Sequence, residues 1–198
     1  MATTTPSRGG TPDWDALFEV AQGQAGYFTT RQAASAGYSP QLLAHFGNKR
    51  VERVRRGIYR LVHFPAGAHE DLIVLWLWAE QAGVFSHETA LALHDLSDSL
   101  PGKVHLTMPP SWRRRRLRLP AGLVLHFAEI GDVDCASYSA VPVTAPLRTL
   151  RDCIEANVAD DLVRQGILQA RRRGIVSAKD EARVLGELGS RGRTRVVR

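Results

Sequence analysis

Apolar residues recur every three or four positions in the N-terminal part of the chain, the spacing of a helix with one buried face. The first such stretch follows Asp13, whose side chain can cap a helix, and ends near Gly23 and Gly26. Its apolar positions fall at i, i+3, i+4 and i+7: Trp14, Leu17, Phe18 and Ala21. The pattern predicts a first helix that packs through one side.

Two shorter helices are predicted next, separated by a glycine. Thr29 or Thr30 can cap the first of them, and Gly37 supplies a left-handed stop at its end. Ser39 can cap the second, with Pro40 in its first turn. The apolar side of this third helix carries Leu42, Leu43 and Phe46.

The pattern then changes to that of short strands. The apolar positions are Val51, Val54, Ile58 and Leu61. The sequence Arg55-Arg56-Gly57 between them suits a turn. Three helices followed by a hairpin are the order of a winged helix-turn-helix. We therefore predict this DNA-binding domain over residues 13–62, after a disordered tail over residues 1–12 that is rich in Thr, Ser, Gly and Pro.

A second domain is predicted over residues 68–188, after a linker at residues 63–67 that contains Pro and Gly. Leu72 to Ala79 is apolar around the whole helical circumference, which predicts a helix buried on most sides in the core of this domain. Ser86 can cap a helix that runs from His87 to Leu96.

The rest of the second domain mixes strand-like and helix-like patterns. Strands are predicted at residues 103–107, 123–127 and 141–143, and helices from Pro146 onward. The prediction is an α+β protein: an N-terminal winged helix-turn-helix, then a small mixed sheet-and-helix domain with a helical C-terminus. Residues 189–198, rich in Gly and Arg, are predicted to form a basic flexible tail.

Composition indicates which broad class of protein the chain belongs to. The 198 residues include 44% hydrophobic ones, enough for a packed core, and carry a formal net charge of +6. The longest apolar run is far below the ~20 residues of a membrane span, and the N-terminus lacks the apolar core of a signal peptide. Cys135 and Cys153 form no C-x-x-C pair, so we interpret both as buried thiols in a reducing compartment. These features predict a cytoplasmic protein without a membrane partner.

Positive charge is concentrated around the predicted hairpin. From Arg31 to Arg60, seven cations accompany a single acid, Glu52. A cluster of one sign suits a phosphate lattice, because binding releases condensed counterions, whereas an ordinary solvated face mixes both signs. The alternative is a helical corner whose arginines only maintain solubility. Charge and hairpin together favour DNA binding.

The predicted DNA contacts divide into base-reading and phosphate-binding residues. With Pro40 at the start of the third helix, Ser39, Gln41 and His45 face away from its apolar side and can reach base edges in the major groove. Arg55 and Arg56 at the hairpin tip form the predicted wing. The other phosphate-binding candidates are Arg31, Lys49, Arg50 and Arg53.

A second basic run, from Trp112 to Arg118, lies between Pro110 and Pro120. Its candidate contact residues are Arg113, Arg114, Arg115 and Arg116. The flanking prolines predict an exposed loop or hairpin. The run is a candidate extension of the DNA-binding surface, and an anionic ligand, RNA or a merely solvated loop are equal alternatives.

Several stretches of the chain together resemble the AbiEi family of type IV antitoxins. They are residues 26–61, which end in VERVRRGIYRL, then SHETAL at 86–91, VHLTMP at 104–109 and PVTAPLRTL at 142–150. The resemblance implies a transcriptional repressor that binds double-stranded DNA at inverted repeats in its own promoter. The wing cations of the family correspond to Arg55 and Arg56, whereas the recognition-helix residues are assigned by position.

The resemblance also implies a genetic partner. Members of the family are encoded beside a nucleotidyltransferase-type toxin of an abortive-infection system, and they oppose it without forming a stable complex. Some relatives with a similar front half continue into a nuclease domain that this chain lacks.

His87, Glu88 and His94 invite comparison with the H-E-x-x-H metal motif. That motif needs two histidines one helical turn apart, but His87 and His94 are two turns apart. Ser86 as a cap, followed by an acid that suits the helix dipole, explains the segment better. We therefore predict no metal site.

His105-Leu106-Thr107 matches one half of the paired H-x-T signature of two-histidine phosphoesterases. The other half is absent, because Phe127-Ala128 follows His126. A Gly-rich phosphate loop is absent too. We predict a protein without a cofactor or catalytic activity. The alternative is a nucleic-acid-processing enzyme, or a nuclease-associated protein, that uses His87, His105 and His126.

Overall fold

The computed structural model describes residues 11–46, 49–98 and 100–194. The chain divides into two compact units between Gln81 and Ala82. Within the described ranges, no helix is both long and apolar enough to cross a bilayer. The tail predicted at residues 1–12 lies outside this description except for its last two residues.

The first unit combines helices with a small antiparallel sheet. Its elements are α1 (Trp14–Gln22), β1 (Tyr27–Thr29), α2 (Thr30–Ser35), α3 (Pro40–His45), β2 (Val51–Arg55), β3 (Ile58–Leu61) and α4 (Glu70–Trp78). The strand order is β1-β3-β2. This is the predicted winged helix-turn-helix, with the unpredicted strand β1 on the free edge of the hairpin, where Phe28 lies opposite Tyr59.

The residues that the sequence predicts at the ends of these helices form the expected caps and stops. The side chains of Asp13 and Ser39 each accept a hydrogen bond from a backbone N–H in the first turn of their helix, at 3.0 and 3.1 Å. Thr29 and Gln32 form a capping box at the start of α2. Gly37, with φ of +82°, ends the same helix in the left-handed conformation.

The core of the first unit lies between the three N-terminal helices and the sheet. Its buried residues are Leu17, Ala21, Phe28, Ala33, Tyr38, Leu43, Val51 and Leu61. Val54, predicted as an apolar strand position, is instead 44% exposed. A register irregularity between Arg53 and Arg55 explains this, because it interrupts the alternation of β2.

Helix α4 packs differently from the prediction. It contacts β1 and β3 of the first unit, and its buried residues are Leu72, Ile73 and Leu77. Glu70 in its first turn accepts hydrogen bonds from the Tyr27 hydroxyl at 2.9 Å and from the Gly67 N–H at 3.0 Å. The structure therefore divides after α4, whereas the sequence predicts a boundary in the linker before it.

The second unit contains a five-stranded mixed sheet and a group of helices. Its elements are β4 (Val84–Phe85), α5 (His87–Leu93), β5 (Val104–Met108), β6 (Leu123–Phe127), β7 (Cys135–Tyr138), β8 (Val141–Thr144), α6 (Pro146–Glu155), α7 (Asp160–Arg172) and α8 (Ala178–Thr194). The strand order is β6-β5-β4-β8-β7, with β5 parallel to β6 and β4 parallel to β8. The predicted α+β class is confirmed, and β4 and β7 are additional strands.

Helices α5 to α8 share the main core of the second unit, which includes Leu91, Leu150, Ile167 and Leu188. Helix α8 continues to Thr194, so the prediction of a flexible tail is wrong for residues 189–194. Part of the reason is Arg191, whose guanidinium donates to the Ile154 carbonyl at 2.8 Å. Residues 195–198 of that predicted tail lie outside the described ranges.

Both cysteines are free thiols, but only one is in the core. Cys153 is buried on α6, and burial raises the pKa of its thiol. Cys135, at the start of β7, is half-buried, so its predicted burial is wrong. β7 is an edge strand of the sheet, which explains the partial exposure.

Candidate functional site

Helix α3 presents an exposed polar face. Gln41 and His45 are exposed and lie four residues apart, on the same side of the helix. Leu43 is buried on the other side at 2% exposure. Ser39 is exposed too, but its hydroxyl already accepts the hydrogen bond from the Leu42 N–H. The face available for contact is therefore centred on Gln41 and His45.

The hairpin of β2 and β3 forms the wing. Its turn is Arg56-Gly57, because Arg55 is the last residue of β2 and pairs with Ile58. Gly57 adopts φ of +79°, a conformation that favours glycine. The Thr30 N–H donates to the Gly57 carbonyl at 2.9 Å, which ties the turn to the first residue of α2.

The predicted phosphate-binding cations are largely exposed. Those exposed to solvent are Arg31, Lys49, Arg50, Arg53 and Arg56. Arg55 is half-buried, because it lies within β2 and not at the tip. Arg31 and Arg56 line a common cleft of about 320 Å³ on the first unit.

Another arginine of this region, Arg60, has a structural role. The guanidinium of Arg60 donates to the Phe64 carbonyl at 3.0 Å and lies 3.4 Å from carboxylate oxygens of Glu52 and Glu70. With only 14% of its side chain exposed, Arg60 belongs to the unit's interior and not to the DNA-facing charge. Arg50 remains exposed while it lies 5.2 Å from the centroid of the Trp14 ring.

The basic run of the second unit is anchored at one end. Pro110–Arg114 forms a 3₁₀ turn, and Trp112 within it is buried at 6% exposure, so the prediction of a wholly exposed loop is wrong at this residue. The guanidinium of Arg115 lies 3.8 Å from the centroid of the Trp112 ring. The four cations Arg113, Arg114, Arg115 and Arg116 are nevertheless exposed.

The second unit also brings together three histidines that the sequence separates. His87 begins α5, His105 lies on β5, and His126 lies on the neighbouring strand β6, opposite Thr107. Nδ1 of His105 and Nε2 of His126 are 3.0 Å apart, and the His87 and His126 rings stack with centroids 3.5 Å apart. We call these three residues the histidine cluster.

Hydrogen-bonding side chains surround the histidine cluster. Nδ1 of His87 lies 2.8 Å from the Ser86 hydroxyl oxygen, which accepts a 2.7 Å hydrogen bond from the Thr107 hydroxyl. Nε2 of His105 lies 3.6 Å from a carboxylate oxygen of Glu88. The Ser86 hydroxyl makes no cap hydrogen bond to α5, so the interpretation of Ser86 as a side-chain cap is wrong.

The electrostatics of the histidine cluster keep its imidazoles neutral. Burial, followed by the neighbouring histidines, lowers the pKa of His87 to about 3. Burial, followed by His105, lowers the pKa of His126 to about 4. Burial also lowers the pKa of His105, although Glu88 opposes the change. Neutral imidazole is the form that accepts a proton or binds a metal ion.

A cavity of about 330 Å³ opens beside the histidine cluster. His87 and His126 line it, together with Arg113, Arg148 and Asp152. The Arg148 guanidinium donates to Asp152 Oδ1 at 2.7 Å. Asp152 Oδ2 is buried and, among the described residues, has no hydrogen-bond partner.

In the sequence, the three histidines occur in separate segments. The H-x-T segment around His105 and the H-E pair at His87 were each incomplete as motifs, and both observations remain true. The missing information was the parallel pairing of β5 with β6, which makes His105 and His126 diagonal neighbours. Once that pairing is known, the alternation of side chains along each strand indicates that His105 and His126 lie close together.

Comparisons with known proteins give a family match within the first unit. Residues 15–62 match the family model described as "Transcriptional regulator, AbiEi antitoxin". No curated protein matches the chain in sequence. Among solved structures, the chain is similar to the crystal structure of RV2827C protein from Mycobacterium tuberculosis, with 12% identity, a TM-score of 0.46, and coverage of 86% of this chain and 79% of that chain. Residues 15–62, which contain α3 and the wing, are therefore similar to the AbiEi antitoxin family of transcriptional regulators, a family whose description implies DNA-binding regulation.

Proposed function

We propose that this protein is a DNA-binding transcriptional repressor that acts as the antitoxin of a type IV toxin–antitoxin system. The observation that carries the proposal is the exposed polar face of α3 together with a cationic wing, in a region that matches a family of transcriptional regulators. Its target is double-stranded DNA with inverted repeats in the protein's own promoter.

The base-reading role falls mainly on α3. Gln41 and His45 share its exposed face, and a glutamine amide can make paired hydrogen bonds to adenine in the major groove. The Ser39 hydroxyl is occupied as a helix cap, so its predicted role becomes that of a cap that orients the helix, with at most a secondary contact.

The phosphate-binding role falls on the surrounding cations. Arg53 and Arg56 on the wing, with Arg31 on α2, Lys49 and Arg50, supply exposed positive charge of one sign. Each cation that neutralises a phosphate releases condensed counterions, which makes the affinity dependent on salt concentration. Arg55 contributes less, because part of its side chain is buried in β2.

The second unit has its own candidate contact. The exposed run of Arg113, Arg114, Arg115 and Arg116 is proposed to bind additional phosphates. The stacking of Arg115 on the buried Trp112 ring holds part of the run in place, which reduces the ordering entropy that binding requires.

The antitoxin role places the protein in the cytoplasm, beside a genetically linked nucleotidyltransferase-type toxin. We propose that it opposes that toxin without forming a stable complex and without catalysis of its own. Co-expression with the adjacent gene tests this part: growth is restored, yet the toxin does not co-purify. Failure to restore growth, or a stable co-purifying complex, contradicts it.

Binding to DNA is tested by fluorescence anisotropy with two duplexes of equal length and base composition. One carries the inverted repeat upstream of the gene, and the other is its scrambled sequence. We expect tight binding to the first, weak binding to the second, and loss of both as salt rises. If the protein binds neither duplex at low ionic strength, the proposal is contradicted.

A further inference from the structure

We propose that the histidine cluster is a binding site for one divalent transition-metal ion of the zinc class. The inference concerns the second unit and is independent of DNA binding. It rests on the spacing of the three nitrogens and on the groups behind them, and a buried carboxylate lines the same cavity.

The three histidines offer one nitrogen each, and these atoms lie within 4.8 Å of one another. Zn–N bonds of about 2.0–2.1 Å in a tetrahedral site place two ligand nitrogens roughly 3.4 Å apart. Nδ1 of His105 and Nε2 of His126, at 3.0 Å, are already near this separation. The three nitrogens are therefore close enough for one ion after small side-chain movements.

Ring orientation defines the movement that binding requires. The His87 and His126 rings stack with an angle of 17° between their planes, so one ion cannot lie in both planes as they stand. Rotation of one ring about its Cβ–Cγ bond directs its nitrogen toward the shared ion. Binding then exchanges the N–H···N hydrogen bond of His105 and His126 for two metal–nitrogen bonds, and the proton of that hydrogen bond moves to the second nitrogen of the same ring, so that both imidazoles stay neutral.

Groups behind the imidazoles match the usual surroundings of metal-binding histidines. A bound histidine commonly donates its second N–H to a carboxylate, hydroxyl or carbonyl, which fixes the tautomer and the ring. Ser86 lies 2.8 Å from Nδ1 of His87, which leaves Nε2 for the ion. Glu88 lies 3.6 Å from Nε2 of His105, which leaves Nδ1 for the ion.

The Asp152 carboxylate supplies negative charge at the same cavity. Asp152 is only 4% exposed, and its Oδ2 has no hydrogen-bond partner among the described residues. A buried unpartnered carboxylate oxygen is costly unless a cation or donor satisfies it. Three imidazole nitrogens are a ligand set for zinc, cobalt or nickel, whereas magnesium and calcium prefer oxygen ligands.

His87 is one of several described non-glycine residues with a left-handed backbone. Its φ of +54° is in the left-handed region, although it is the first residue of α5. The Ser86 hydroxyl contacts His87 and Thr107 and leaves the first turn of α5 without a side-chain cap.

Metal binding is tested on the full chain after dialysis against a chelator. Titration with Co²⁺ is followed by its visible absorption, and titration with Zn²⁺ by calorimetry. We expect one ion per chain, a tetrahedral Co²⁺ spectrum and a raised melting temperature with saturating Zn²⁺. His126→Gln should weaken binding at least about 100-fold, and Glu88→Gln about 10-fold.

The matched control is His63→Gln, which changes an exposed histidine of the first unit and should leave the affinity unchanged. Far-UV circular dichroism shows whether each variant folds. If His126→Gln does not fold, the Glu88→Gln variant and the wild-type Co²⁺ spectrum decide. An octahedral spectrum, binding that is unaffected by Glu88→Gln and His126→Gln, or binding that His63→Gln removes overturns the proposal.

Discussion

The backbone N–H of Thr30 donates a 2.9 Å hydrogen bond to the carbonyl of Gly57, so the turn of the wing is joined to the first residue of α2. Helix α2 precedes α3, the proposed recognition helix, by only a short turn at residues 36–39. One main-chain hydrogen bond therefore connects the proposed phosphate-binding hairpin with the helix pair that carries the base-reading face. Gly57, which accepts this bond, adopts the left-handed conformation.

Replacement of Gly57 by Ala should destabilise the wing. The residue adopts φ of +79°, and an L-residue in the left-handed region costs about 1–2 kcal/mol. Space does not oppose the methyl group, because a Cβ at this position meets only the Thr30 hydroxyl oxygen at 3.7 Å. Chemical denaturation should show a loss of about 1–2 kcal/mol in the free energy of unfolding.

Gly67→Ala is the matched control in the same unit. A Cβ there meets nothing within 4 Å, so the change should alter the free energy of unfolding by less than about 0.5 kcal/mol. Equal losses from Gly57→Ala and Gly67→Ala would contradict the role given to the left-handed turn.

Exposed wing cations and the exposed face of α3 should affect DNA binding differently. Arg56→Ala removes a proposed phosphate contact, so affinity should fall for the operator and for a scrambled duplex alike. The slope of log K against log salt should become shallower by about 0.9. The same anisotropy assay over several salt concentrations measures both quantities.

Gln41→Ala should instead change the choice of sequence. Loss of a base contact costs about 1–3 kcal/mol on the operator and little on a scrambled duplex, and the salt slope stays as in wild type. Arg164→Ala, which removes an exposed arginine from α7, is the control for the loss of positive charge in Arg56→Ala. If Gln41→Ala lowers the affinity for both duplexes equally, α3 does not have the proposed base-reading role.

Local signals in the sequence were sufficient for much of the first unit. The caps at Asp13 and Ser39 and the left-handed stop at Gly37 depend on a few adjacent residues, so the helices between them were predicted from sequence. The wing followed from Gly57 and the apolar positions around it. Strand β1 was not predicted, because three residues are too few to show alternation.

Features that depend on distant pairing were not accessible from the sequence. The apolar pattern of α4 predicts burial but does not name the surface that buries it, and the structure places it on β1 and β3. The histidine cluster required the register of β5 against β6 together with the start of α5. A single sequence contains no signal for either arrangement beyond the alternation within each strand.

His94 should make the second unit sensitive to mild acid. Its Nε2 lies 2.7 Å from the Thr144 carbonyl, and burial lowers its pKa below the ordinary value of 6.5 despite that bond. Its neutral form therefore stabilises the fold fully above about pH 6.5. This contribution is lost as pH falls through the lowered pKa, at no more than about 1.4 kcal/mol per pH unit.

Urea denaturation at pH 7.5 and pH 5.5 compares wild type with His94→Gln, whose amide can still donate to Thr144. The variant should lose less stability than wild type over this interval, because it removes one group that titrates. His63→Gln, at an exposed position, should retain the wild-type difference. An identical loss in His94→Gln and wild type would show that His94 does not contribute.

Arg148 should be essential to the stability of the second unit. Its guanidinium lies 2.7 Å from Asp152 and 3.1 Å from Asp134, and Asp152 is buried. Arg148→Ala leaves a buried carboxylate without its cation, which costs about 3–5 kcal/mol, whereas Arg164→Ala on the exposed face of α7 should cost less than about 0.5 kcal/mol. The double change Arg148→Ala with Asp152→Asn removes the stranded charge, so it should unfold at a higher urea concentration than Arg148→Ala alone. A double variant that is no more stable than Arg148→Ala would show that the loss comes from packing of the arginine stem and not from the unpaired carboxylate.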